Sequence, residues 1–335
     1  MTLTVAYTGN NGKYLDGGGR SIWTNQMDPE YLALGSLLTA QATPANIAAA
    51  QAIIPGIGLP FSNFRGTISQ MLRPFPQYSG VTDIWGNIGQ SNYNALQTLL
   101  GSRLSHGLTF NVNYTFSKNL SDTNGGRSAY AWQNAKSLTT TDQTHVFNAL
   151  VVYELPFGEG KPIGVSNAVT RAIVSGWRIS GITRAYSGFP LGTIAATCNL
   201  PNAGGCQAIY NRSFTGPVRI NGDWGSGDLT GPNPPAFLDR NAFANPAAYT
   251  YGDTPLTGVY GLRAPHAINQ DLSLKRTFAI RESMRFQLQW DAFNAFNYVR
   301  FAAPSVNLAS TTGFGKITGQ ANSPRIMQLS ARFEF

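Results

Sequence analysis

The chain has 335 residues, of which 42% are hydrophobic and only 12% are charged, and its net charge is +8. An average soluble domain carries about 25% charged residues, so this composition argues against an ordinary water-exposed surface. The basic residues are scattered singly, which argues against a nucleic-acid partner. The sequence has no stretch of ~20 apolar residues, so it predicts no transmembrane helix. The 36 Gly and 19 Pro residues favour a turn-rich β chain.

Eight segments have the composition or the period-two alternation of β-strands. In the clearest of them, LTFNVNYTFS, apolar residues from Leu108 to Phe116 alternate with uncharged polar residues. In chain order the segments are 1–8, 92–103, 108–117, 147–155, 176–186, 268–275, 284–293 and 327–335.

The connections between these segments are alternately long and short. The long ones are 9–90, 119–142, 189–265 and 300–323, and the short ones are 104–107, PFGEGKPIG (156–164, with the residues after it) and 279–283. A membrane β-barrel has tight periplasmic turns on one rim and long external loops on the other. The alternation therefore predicts an all-β protein, an antiparallel transmembrane barrel of the outer-membrane type, with loops 9–90 and 189–265 outside the cell.

Loop 9–90 contains two predicted helices. MDPEYLALGSLL has Asp28 as N-cap and Pro29 in the first turn. ATPANIAAAQAIIPG repeats this arrangement with Thr43 and Pro44. The two helices fit either a packed cap on the loop or a lid over a lumen.

The two cysteines, Cys198 and Cys206, lie in the segment CNLPNAGGC. Their surroundings lack the further ligands that a zinc site needs. A local disulfide and two free thiols are the alternatives, and a disulfide would indicate an oxidising, extracytoplasmic setting. We expect neither a metal nor a cofactor.

The polar phase of the predicted strands would face the lumen of a barrel. Its charged residues either pair with one another or with a plug, or they line the path of a polar ligand. These candidate lining residues are Arg178, Arg184, Asp271, Lys275, Arg285, Asp291, Arg332 and Glu334.

Two histidines are candidates for a Ser-His-Asp arrangement. His145 lies near Asp142 in the segment DQTHVFN, and His266 lies where a loop meets a strand. The chain has no Gly-x-Ser-x-Gly elbow. We therefore expect hydrogen bonding at the rim rather than catalysis, and we do not expect an enzyme.

Four segments resemble the C-terminal barrel of TonB-dependent receptors, in particular the Oar-like subgroup with an N-terminal carboxypeptidase-regulatory-like domain. They are MLRPFPQYSGV, SNYNALQTLLGSRLSHGLTFNVNYTFSKNLSD, VFNALVVYELPFGEGK and FQLQWDAFNAFNYVRF. The resemblance covers essentially the whole chain, and most clearly residues 90–335. Barrels of this transporter type have about 22 strands, so it implies that 1–335 is a single segment forming the last part of a larger barrel.

The resemblance also implies a function. Such a receptor passes an unidentified ligand across the outer membrane, with energy from the TonB system, but no signal peptide, TonB box or plug domain is found in these residues. An outer-membrane-anchored surface-binding or adhesion protein without transport is the alternative, and a soluble secreted β-domain is a third hypothesis. Loss of ligand accumulation without loss of attachment would distinguish the first two.

The last segment, MQLSARFEF, alternates apolar and polar residues to its final position. It resembles the β-signal of this family, a terminal amphipathic strand ending in Phe that the outer-membrane assembly machinery reads. The resemblance therefore implies lipid and the assembly machinery as partners. The apolar residues of this assembly signal are Met327, Leu329, Ala331, Phe333 and Phe335.

Overall fold

A computed structural model of the protein describes residues 1–16, 22–83, 86–105, 107–123, 128–130, 135–158, 160–202, 205–220, 236–281 and 283–335. Most strand residues belong to one antiparallel sheet, and short strands pair beside it and in the loops. The strands are β1 (Thr2–Leu15), β2 (Ile22–Trp23), β3 (Thr82–Asp83), β4 (Gly89–Ser105), β5 (Leu108–Ser121), β6 (Ser137–Leu138), β7 (His145–Glu154), β8 (Trp177–Tyr186), β9 (Ile209–Tyr210), β10 (Phe243–Ala244), β11 (Ala267–Arg281), β12 (Met284–Phe293) and β13 (Ile326–Glu334).

The long strands follow one another through the sheet in the order β1-β4-β5-β7-β8-β11-β12-β13, and β6 pairs with the end of β5. Each long strand is antiparallel to its neighbours, which confirms the predicted antiparallel sheet. Within the described residues the sheet is not closed, because β1 and β13 form its two edges.

Long and short connections alternate, but several predicted boundaries were wrong. Loop 9–90 begins later, because β1 continues to Leu15: Asn10, Asn11 and Gly12 pair with β4 although they lack an apolar alternation. Strands β5 and β11 also extend beyond their predicted ends, to Ser121 and Arg281. The remaining long loops run over 122–144, 187–266 and 294–325, so the last two are longer than the predicted 189–265 and 300–323. These extensions are held by backbone ladder bonds, which depend little on side-chain polarity.

The loops contain helices α1 (Pro44–Ile53), α2 (Ile68–Met71) and α3 (Ala168–Val174). The predicted N-cap of α1 is confirmed, since the hydroxyl of Thr43 accepts a hydrogen bond from the backbone of Asn46 at 3.3 Å. The prediction of an α-helix over 27–38 was wrong. Pro29–Thr39 is a 3₁₀ helix interrupted at Gly35, whose φ is 54°. No helix in the described part of the chain is long and apolar enough to span a bilayer.

The register gives the sheet two chemically different faces, because directly opposite residues of antiparallel strands share a face. On β12 and β13, Gln287 lies opposite Arg332, whereas Leu288 lies opposite Ala331. We call the side that carries Gln287 the polar face and the side that carries Leu288 the apolar face. The same phase continues through the neighbouring ladders to β1, where Thr4 lies on the polar face and Val5 on the apolar face.

The buried core lies in the loops rather than in the sheet. One cluster joins residues of 187–266 and 294–325 around the fully buried Phe237 and Ile317. The other forms around Met27 and Leu38 in the first long loop, and Tyr249 of the third long loop packs against it. We call the described residues of the loops 16–88, 187–266 and 294–325 together the loop cap.

Candidate functional site: the polar face and the loop cap

One row of the sheet shows how the polar face is assembled. Glu154 on β7 lies opposite Arg178 on β8, Arg178 lies opposite Lys275 on β11, and Lys275 lies opposite Gln289 on β12. These residues are far apart in the sequence, and only the strand register makes them neighbours. The row brings several charges onto one side of the sheet.

The register places every candidate lining residue on the polar face. Residues that alternate along a strand share a face with their opposite partners, so the ladders of β8, β11, β12 and β13 fix all of these positions. They are Arg178, Arg184, Asp271, Lys275, Arg285, Asp291, Arg332 and Glu334.

A basic cluster occupies the polar face near the short connections. The carboxylate of Glu154 accepts from Arg178 at 2.7 Å and from Lys161 at 3.1 Å. Lys275 joins them around a cavity of about 330 Å³. Two cations thus pair with one carboxylate, and a third cation lines the same cavity. Exposed ion pairs contribute only about 0–1 kcal/mol, so the cluster matters for its positive charge rather than for stability.

An acidic pair lies farther toward the long loops. Asp271 and Asp291 line a second cavity of about 180 Å³ together with Leu150. Asp271 accepts hydrogen bonds from the backbone of Asn294 at 2.8 Å and from the side chain of Asn269 at 3.0 Å. Along β8 and β11, the row of Asp271 therefore lies between the basic cluster and Arg184.

The remaining candidates contact one another or an aromatic ring. Arg332 and Glu334 form an ion pair at 3.1 Å on β13, and Arg285 lies opposite Glu334. The guanidinium of Arg184 lies 5.1 Å from the centre of the Tyr186 ring. The sequence had left pairing and ligand contact as alternatives, and these contacts are examples of pairing.

Sequence reasoning missed two members of the basic cluster. Glu154 is the second-to-last residue of the segment 147–155, whose faces are mixed in the sequence, and Lys161 belongs to a segment interpreted only as a turn. Their roles depend on the approach of the connection 155–176 to β7. An acidic residue at a strand end, followed by a nearby lysine, was the signal available.

Arg276 was also missed, and it lies on the apolar face. Only 7% of it is exposed, and its guanidinium donates to the carbonyls of Ala172 and Ile173 at the end of α3. The ring of Phe278 lies 4.1 Å from its Cζ. The carbonyls at a helix C-terminus carry partial negative charge, so α3 compensates a cation on this face.

In the loop cap, Asn202 joins the first and third long loops. Its side chain donates to Ser69 at 2.9 Å and accepts from Arg73, and its carbonyl accepts from the backbone of Met27 at 2.8 Å. Burial lowers the pKa of the Arg73 guanidinium. These contacts make the two loops one unit.

The two cysteines lie on either side of Asn202 in the sequence. The structure joins Cys198 and Cys206 by a disulfide with a Cα–Cα distance of 6.0 Å. Leu200, between them, packs on the buried cluster of the first loop. The disulfide therefore closes a short loop that contains Asn202 and restricts its movement.

A buried ion pair joins the second and third long loops. The carboxylate of Asp142, of which 1% is exposed, contacts the guanidinium of Arg263, and it also accepts from the backbone of Asn119 at 2.6 Å. His145 instead has its Nδ1 atom 2.7 Å from the hydroxyl of Tyr114. The nearby Asp142 thus belongs to a loop clamp, and the His145 ring has a different partner.

The terminal segment forms the edge strand β13. Met327, Leu329, Ala331 and Phe333 lie on the apolar face, opposite the apolar residues of β12. Phe335 lies beyond the last ladder pair and is 95% exposed.

The family model described as "Outer membrane beta barrel domain" matches residues 1–328. The matched region contains the polar face of β1 through β12, the loop cap and the beginning of β13. No curated protein matches this chain.

Proposed function

Because the chain belongs to the outer membrane beta barrel domain family, we propose that it forms part of the wall of a TonB-dependent receptor that moves a polar ligand across the membrane. The family match makes it an outer-membrane protein. The receptor subtype, the ligand and the transport role are our proposals.

The polar face is the observation that carries this proposal. It continues across the sheet from β1 to β13, while the opposite face exposes large apolar side chains. An outer-membrane strand alternates between lipid-facing and lumen-facing residues. We therefore assign the apolar face to lipid and the polar face to the interior, where the basic cluster and the acidic pair would meet a ligand.

The two sheet edges support a larger wall. Unpaired strand edges are not tolerated in the hydrocarbon region, because no water is present to bond their backbone groups. β1 and β13 would therefore pair with further strands of a receptor barrel. Energy would reach the ligand path through the TonB system and a plug, and the protein would carry out no covalent chemistry.

Surface binding without transport is the second candidate function, and the loop cap favours it. Several aromatic residues of the first long loop, including Phe61, Phe75 and Tyr78, are exposed although the loop has a buried core. A rigid loop layer with exposed rings is suited to contact with another molecule.

Deletion of the gene tests the choice between the two functions. Accumulation of labelled nutrients and attachment of cells to surfaces would be measured in parallel. We expect accumulation of a polar nutrient to fall while attachment is unchanged, and restoration by the wild type but not by Lys275→Glu. Lys118→Glu, on the apolar face of β5, is the matched control. Loss of attachment with normal accumulation of every nutrient would refute transport.

An immunoblot of native outer membranes with antibody against 189–265 tests the larger wall separately. A band far heavier than 36.1 kDa is expected. A heat-modifiable band at 36.1 kDa would instead identify a small barrel without a plug, and anchoring would become the favoured function.

The role of Phe335 in assembly has its own test. We expect Phe335→Ala, or an added charged tail, to lower the amount of protein inserted in the outer membrane, because the terminal aromatic residue would be read by the assembly machinery. Phe237→Ala in the loop cap should leave insertion unchanged. Equal insertion of the two variants in outer-membrane fractions would contradict the assembly signal.

A further inference from the structure

A cavity of about 310 Å³ opens on the apolar face, where the long loops meet β7, β8 and β11. Its lining has two parts. His145, Tyr186, Ser187 and His266 have polar side chains, and Phe147 and Ile268 are among the apolar lining residues. It lies on the opposite side of the sheet from the proposed ligand path, so an inference about it does not depend on transport.

The apolar part is a groove along β8. Ala185 lies between Phe147 of β7 and Ile268 of β11, and in the next row Thr183 lies between Ala149 and Gln270. Ala185 therefore has a larger side chain on each side, as does Gly181 between Val151 and Leu272, whereas Thr183 has a larger neighbour only on β11. Because residues on one face of a strand repeat every second position, the groove continues along the strand direction.

The lower part of the groove is bounded by Leu272. A Cβ added at Gly181 would lie 3.1 Å from its Cδ2 atom, so the leucine side chain leans over the glycine. Above it, Gln270 donates a hydrogen bond to the hydroxyl of Thr183 at 3.3 Å. This bond satisfies two polar groups that would otherwise be costly to place against an apolar ligand.

The polar end is held in place by the strands. Hydrogen bonds join the backbone N–H of His145 to the Ser187 hydroxyl at 3.1 Å and the Ser187 N–H to the His145 carbonyl at 2.9 Å. The His145 ring contacts the hydroxyl of Tyr114, at 2.7 Å from Nδ1, and the ring of Phe116, at 5.3 Å between ring centres. With the phenol as donor, the ring proton is on Nε2, which can donate to a ligand.

We infer that this cavity binds a phosphate-bearing membrane lipid. The imidazoles of His145 and His266, both exposed, would donate to the phosphate, and one acyl chain would lie in the groove over Ala185. The occupant follows from continuity, because the apolar face of an outer-membrane protein contacts lipid along its whole height. Hydrogen-bond donors directly above an acyl-sized groove match a phosphate joined to a hydrocarbon chain.

Native mass spectrometry of the protein extracted from outer membranes into detergent micelles tests the site. Phosphatidic acid and a diacylglycerol with the same acyl chains are the two probes. We expect one equivalent of phosphatidic acid to bind, and diacylglycerol to bind about tenfold more weakly because it lacks the hydrogen-bonded anion. The double variant His145→Ala/His266→Ala should bind phosphatidic acid about tenfold more weakly. Asn92→Ala, on the apolar face of β4, is the control.

Filling the groove is a test that leaves both imidazoles in place. Ala185→Leu should weaken both lipids about fourfold, roughly the effect of one displaced methylene contact, whereas Thr98→Leu on the apolar face of β4 should not. Heat-shifted migration on gels verifies that each variant is folded. Equal affinity for the two lipids, or undiminished phosphatidic acid binding by the histidine or Ala185 variants, would overturn the inference.

Discussion

The sheet and the loop cap use the same kinds of residue in opposite ways. Leu329 on β13 is 76% exposed, whereas Leu308 in the loop cap is 1% exposed. Within the described residues, α3 covers the apolar face at Arg276, but most large side chains of that face are exposed, while the loops enclose two buried clusters. Under the proposed function the membrane would cover the apolar face of the sheet, whereas the loop cap buries its own core.

This difference reverses the usual expectation for loops. Connecting segments are normally mobile and held by few contacts. Here Asn202, the clamp between Asp142 and Arg263, and the cluster around Phe237 join distant loops into one layer. The loop cap should therefore behave as a folded domain whose stability can be changed without changing the sheet.

Phe237→Ala should have the largest effect. The ring is fully buried, and removing it leaves a cavity, so we expect the loop cap to lose about 3–5 kcal/mol of stability. Limited proteolysis of the folded protein in micelles measures this, because loop cleavage follows loop opening. Phe333→Ala, on the apolar face of β13, is the control and should leave loop cleavage unchanged.

An equal increase in cleavage for both phenylalanine variants would contradict the separation of the two regions. It would mean that the loop cap depends on the packing of the sheet edge. Unchanged cleavage for both would mean that the cluster around Phe237 is not a cooperative core.

Arg263→Ala should have the next largest effect, about 3 kcal/mol, because it leaves the buried carboxylate of Asp142 without its cation. Hydrogen exchange should increase in both 122–144 and 187–266, since the pair joins these two loops. Arg212→Ala is the matched control, as the Arg212 side chain is 82% exposed in its pair with Asp253. Exchange confined to one loop would show that the clamp does not couple them.

Much of the sheet could be predicted because its information is local. Period-two alternation in 108–117 and 284–293 indicates strands and their faces from neighbouring residues alone, and the N-caps at Asp28 and Thr43 are equally local. The extension of β1 to Leu15 could not be predicted, because Asn10 and Asn11 lack an apolar alternation and are placed by their pairing with β4.

The candidate site could be predicted in part for the same reason. Strand phase placed Arg178 and Lys275 on one face, but their contact with Glu154 and Lys161 depends on register and on the path of a loop. Arg276 breaks the apolar pattern, and its partners in α3 lie more than one hundred residues away. Long-range pairing of this kind leaves no periodic signal in a single sequence.

Leu329→Ala should have the smallest effect and gives the most direct comparison of the two regions. Lipid chains can fill the space left by the side chain, so only the transfer free energy is lost, about 1.5 kcal/mol. Leu308→Ala should cost more, about 2–5 kcal/mol, because a rigid core keeps the cavity. Reversible urea unfolding in lipid vesicles measures the first, and loop proteolysis measures the second. Equal costs would mean that protein, rather than lipid, covers the apolar side of β13, and the assignment of the apolar face to the membrane would fail at this edge of the sheet.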